Sequence, residues 1–92
     1  MLAQLKQQHD SAMKAYQKAP KNAQLKKRYV DVTVKLGMKT MYSESLPPRQ
    51  KYPGALKYFN EALKVDPTNK DAREQRDMIL AVYKSMGKKP GG

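Results

Sequence analysis

Apolar positions in this chain recur in steps of three and four, the period of a helix rather than of a strand. Over about 2–18, Leu2, Leu5, His9, Ala12, Met13, Tyr16 and Ala19 fall on one side. "APKNA" at 19–23 interrupts the pattern: Pro20 has no backbone N–H to donate, and Asn22 is a favoured N-cap. A second helix is predicted over about 23–46 and carries two stripes. Leu25, Tyr29, Val32 and Leu36 make one; Val30, Val34, Met38, Met41 and Tyr42 make the other. Such a helix lies between neighbours on two sides. Its β-branched run, Val30, Val32, Thr33 and Val34, would suit a strand, but about twenty residues without a turn signal would not.

"SLPPRQKYPG" at 45–54 reads as a loop, because prolines and a glycine crowd it. A third helix is predicted over about 53–65, with Pro53 in its first turn. "DPTN" at 66–69 is a tight connection in which Thr68 followed by Asp71 resembles a capping box. The fourth helix is predicted over about 70–86, with Gly87 as its C-cap and 88–92 as a flexible tail. The expectation is one all-α domain over 1–87, with four helices and no sheet.

Ala55, Phe59, Ala62 and Pro67 stand 4, 3 and 5 residues apart, with "EALKVDP" at 61–67 and Leu36–Gly37 upstream. In these residues the chain resembles the tetratricopeptide repeat family, most closely over 51–69. Ala55, Phe59, Ala62 and Pro67 match the second helix of a repeat, and Leu36 and Gly37 match the close-packing pair of its first helix. The resemblance implies antiparallel helical hairpins stacked as a short right-handed solenoid. In that family the first helix of each repeat lines a concave peptide-binding surface. The matching positions are Asp31, Val34, Lys35, Met38 and Tyr42 on the second helix, and Asp71, Glu74, Gln75 and Met78 on the fourth.

The departures also inform. Pro20 and Pro67 are 47 positions apart, against a repeat period of about 34. The excess implies a lengthened second helix and an expanded loop after it. Arg73, Arg76 and Asp77 stand where the family prefers Trp, Leu and a small residue, which suits a terminal cap. The carboxylate clamp of one well-known subgroup is missing, since Asp31, Met38, Asp71 and Gln75 occupy its positions.

Nineteen Lys and Arg against eight Asp and Glu give a net charge of +11, which favours acidic partners. A second reading therefore has the chain bind nucleic acid or an anionic surface through Lys26, Lys27, Arg28, Arg49 and Lys51. Against it, Asp10, Asp31, Asp66, Asp71, Glu74 and Asp77 dilute the field, so specific nucleic-acid recognition is not expected. Without cysteine the chain has no disulfide and no thiolate metal site. The N-terminus lacks a signal-peptide core, and no apolar run approaches the ~18 residues of a membrane span. His9, the one histidine, reads as an ordinary helix-surface residue. No nucleophile, phosphate loop or carboxylate pair stands out, so neither enzyme, metal nor cofactor is expected. The function expected is a non-catalytic scaffold that binds a protein or peptide, plausibly acidic. The first helix matches the second half of a repeat without its partner. Leu2, Leu5 and Met13 are therefore expected to stay partly uncovered unless a symmetric dimer, an upstream segment or a first helix tilted across the second covers them; a homodimer is favoured, because the second helix carries two apolar stripes and few neighbours.

Overall fold

The computed structural model describes residues 2–43 and 45–85. Four helices account for nearly all of them: α1 (Leu2–Lys18), α2 (Ala23–Met41), α3 (Pro48–Val65) and α4 (Lys70–Ser85). No strand occurs among the described residues. Each helix packs on the next in sequence, and α2 also touches α4. The short connections at 19–22, 42–47 and 66–69 fold each helix back along its predecessor. Gly87 and the tail 88–92 lie outside the described residues.

Local chemistry sets the helix starts. The Asn22 side chain accepts hydrogen bonds from the backbone N–H of Gln24 (3.0 Å) and Leu25 (3.1 Å), so it caps α2 as expected. Asn69, not Thr68, caps α4: its Oδ1 accepts from the Ala72 N–H at 2.9 Å. Thr68 instead turns back to Asp66, whose Oδ1 accepts from both its N–H and its hydroxyl. The connection is thus an Asx turn feeding an Asn cap. The β-branched cluster lies within α2, where the buried Thr33 and Thr40 hydroxyls are satisfied by donating to the Tyr29 and Leu36 carbonyls of the preceding turn, at 2.7 and 2.8 Å.

The central connection differs from the sequence expectation. At 19 residues α2 is the longest helix, but it ends at Met41 rather than Leu46. Helix α3 starts at Pro48 rather than Pro53. Prolines 47 and 48 open this helix instead of preventing it. Pro47 acts as the N-cap, and its carbonyl accepts from Gln50 and Lys51, both at 2.9 Å. Pro53 lies inside α3 and has no N–H for the Arg49 carbonyl four residues back. Arg49 is exposed, so water can satisfy that carbonyl.

The main core joins α2, α3 and α4: Val30, Val34 and Met41 meet Ala55, Leu56, Phe59 and Ala62, with Ala72 and Ile79 closing it. Within it Gly37 packs closely against Phe59. A Cβ on Gly37 would stand 2.8 Å from Phe59 Cε1, inside van der Waals contact, and Phe59 is fully buried. Ala55 and Ala62 flank that ring and are themselves buried. On α4 the buried positions are Ala72 and Ile79, while Arg73 and Asp77 stay exposed. The helix is therefore turned by about one residue from the register that the repeat resemblance implies. The charges stay in water and the apolar pair goes inward.

Helix α1 also departs from expectation. Leu5 and Ala12 are buried against the rest of the chain, and Met13 is half-buried. The outer face of α1 presents Gln4, Lys6, Gln7, Ser11, Lys14 and Gln17. The side chain of Leu2 lies outside the described residues. Leu5 thus finds its cover within the monomer, while Met13 stays partly exposed.

The two helical glycines respond oppositely to a methyl group. Gly37→Ala forces the Phe59 ring to move in a packed core and lowers stability by about 1–3 kcal/mol. At Gly54 a Cβ would meet Thr40 Cγ2 at 3.4 Å, an ordinary contact. Gly54→Ala therefore raises stability by about 0.5–1 kcal/mol through helix propensity. Urea midpoints of the two variants, moving in opposite directions, check the register of α2 on α3.

Candidate functional site

The expected partner-binding residues sit on α2 and α4, the two helices that meet across the core. On α2, Asp31, Lys35 and Tyr42 are exposed and Met38 is half-buried. Val34 is not on that surface: it is buried in the core against α3 and α4, which corrects its assignment. The sequence pattern puts Tyr42 on an apolar stripe, yet it is 67% exposed, because α2 has ended one residue earlier and the chain is turning away. On α4, Asp71, Glu74 and Met78 are exposed and Gln75 is half-buried. The Gln75 amide oxygen is enclosed and has no hydrogen-bond partner among the described residues.

The cations of the second reading do not form one patch. Lys26 and Lys27 border a cleft of about 330 Å³ together with Val30, Asp31, Asp66 and Asn69, so two carboxylates share it. Arg49 and Lys51 belong to the first turn of α3, beside the far end of α2. From Arg28 to the end of α2 is about 20 Å at 1.5 Å per residue. The five residues therefore lie at opposite ends of α2.

The sequence reading missed a polar junction between α1, α2 and α3. His9 is not a surface residue; it is buried. Its Nε2 lies 2.5 Å from Glu61 Oε2, and its Nδ1 lies 3.1 Å from Asp10 Oδ1. The same Glu61 oxygen accepts from the Tyr29 hydroxyl. The Tyr16 ring stacks on Tyr29 at 5.4 Å, and Tyr58 meets the imidazole edge-on at 5.8 Å. One signal for this junction was present, namely a histidine on the apolar stripe of α1. Nothing marked Glu61 as its partner, since the repeat-like "EALKVDP" already accounted for that residue.

Both imidazole nitrogens are taken by carboxylates, so His9 has none to offer a substrate or a metal. Among the described residues no group of three His, Asp or Glu converges to hold a metal ion. Nor is any helix among them long and apolar enough to cross a membrane. A groove of about 520 Å³ runs along α3, lined by Pro53, Leu56, Lys57, Asn60, Glu61 and Lys64. It lies outside every set of residues that the sequence suggested.

Burial, then the Glu61 carboxylate, push the Tyr29 phenol well above the ordinary tyrosine range. The same two causes, in the same order, raise Tyr58, and Asp10 adds to them. Burial alone raises Tyr83. A phenol raised in the fold stabilises it fully below the unfolded value of about 10, and that contribution is lost as pH climbs through the folded value. Absorbance of the phenolate should therefore lag behind free tyrosine and then rise together with helix loss above about pH 10. Glu61→Ala leaves His9 and Tyr29 without their shared acceptor, at about 1–3 kcal/mol for each orphaned group. Urea denaturation of that variant at neutral pH measures the sum.

No family model, curated protein or solved structure matches the chain.

Proposed function

We propose that this chain is a non-catalytic interaction module of the tetratricopeptide-repeat type. It holds a peptide or a segment of a partner protein on the face formed by α2 and α4. The observation that carries the reading is the placement of the exposed apolar side chains. Among the described residues two large hydrophobics are exposed, Tyr42 at 67% and Met78 at 45%. Both belong to the positions that the repeat resemblance assigns to partner binding. Met38, half-buried, adds a third apolar group to the same set. Flexible methionines beside an aromatic ring fit a surface that adapts to a chain laid across it.

The Gly37–Phe59 approach and the flanking Ala55 and Ala62 support the repeat-type packing. The turned register of α4 is a departure from it, and it suits a helix that ends a stack.

Selection of binders from a displayed library of random short peptides tests the reading, followed by mapping of amide shifts on the labelled protein. Shifts are expected at Lys35–Tyr42 and Asp71–Val82. Replacing both Tyr42 and Met78 with Ser should weaken the selected peptides by tenfold or more, with helicity unchanged. That is the scale of losing one to two anchor residues, each above about 1 kcal/mol. No enrichment, or shifts confined to α1 and the outer side of α3, would remove the proposal.

A further inference from the structure

The exposed side of α2 carries a row of cations. Arg28, Lys35 and Lys39 follow one another at helical spacings of seven and four, Lys27 lies beside them, and Tyr42 closes the row three residues on. All five are exposed. None of the four cations has a carboxylate within 4 Å among the described residues, although Asp31 stands in the same stretch. Helix α4 treats its cations differently. Lys70 pairs with Glu74 at 3.9 Å and Arg76 with Asp77 at 3.1 Å, each within the helix. One wall of the proposed face is therefore internally compensated, while on the other, among the described residues, four positive charges stand against Asp31 and, at the Lys27 end, Asp66.

The structure assigns this row to an acidic polypeptide segment, one that spaces its carboxylates along α2 and sets an apolar side chain on Tyr42. This assignment rests on the interaction reading above and names the chemistry of its partner. From Arg28 to Tyr42 is roughly 21 Å at 1.5 Å per residue. About six to seven residues of extended chain cover that length. The choice of polypeptide over nucleic acid follows from the carboxylates nearby. A nucleic acid bears a phosphate at every step and cannot avoid Asp31, or Asp71 and Glu74 on α4, along its whole track. A polypeptide can put acids opposite the lysines and neutral residues opposite Asp31.

Peptides enriched on the full chain supply the probe. Each is compared with its own analogue in which Glu and Asp are replaced by Gln and Asn. A single-stranded oligothymidylate serves as the polyanion control. Acidic peptides should be enriched, and their amide analogues should bind about tenfold more weakly at physiological salt. Lys35→Glu with Lys39→Glu should produce a loss of similar size for the acidic peptides and little for the analogues. Both positions are exposed, and circular dichroism verifies that the helices persist. If neutral and acidic peptides bind the same face equally, docking stands and the acidic assignment is wrong. If nothing is enriched, the docking reading itself fails. If the oligothymidylate binds α2 more tightly than any peptide at physiological salt, the polypeptide assignment is overturned.

Discussion

The architecture turns on a missing methyl group. Phe59 lies fully buried against the backbone of Gly37, closer than any side chain there would permit. That contact fixes how near α2 and α3 can come. It also fixes which faces of both helices remain for α1 and α4. Ala55 and Ala62 continue the logic on either side of the ring, since small residues let the two backbones stay close along their length. Ala72 and Ile79 of α4 then complete the same core. Displacing the ring would disturb all three helices, because each has side chains in that one cluster.

The second joint is polar. Glu61 gathers His9 and Tyr29 on a single oxygen, linking α3 to both α1 and α2. Apolar packing alone tolerates small slides of α1 along α2. A carboxylate with two buried donors does not, because a slide leaves each donor desolvated and unpaired. The first helix is thereby held in one register even though it has few direct neighbours on α3. The aromatic rings of Tyr16, Tyr29 and Tyr58 close around the junction.

Much of the fold was legible because its signals are local. Asn22 announced its cap, the three-four spacing announced α1 and α2, and the spacing of Ala55, Phe59 and Ala62 marked the packed face of α3. The misreadings have physical reasons. Pro47, Pro48 and Pro53 look like a loop to any rule that treats proline as a breaker. A proline in the first turn of a helix breaks nothing, and one further in can be tolerated where the freed carbonyl faces water. Thr68 lost the cap to Asn69 because Asp66 captured its hydroxyl first. Val34 and Tyr42 shared a stripe in sequence, but the end of α2 at Met41 separates them into core and surface. The His9–Glu61 pair spans 52 positions, and no local pattern can report it. For the candidate face, the resemblance indicated which helices to inspect, and only burial could sort their residues.

The order in which the helices pack has a consequence for how the chain matures. Each helix leans mainly on its neighbour in sequence, so most contacts close short loops, and topologies of this kind fold fast. A chain emerging from its amino end can pair α1 with α2 while α3 is still being made. During that interval one side of α2, with Val30, Val34 and Met41, has nothing to rest on. The aromatic hydroxyl of Tyr29 likewise waits for Glu61. Completion therefore arrives in a step rather than by degrees: once the segment around residues 55–62 is free to fold, it supplies both the ring that covers the glycine and the carboxylate that satisfies the two donors.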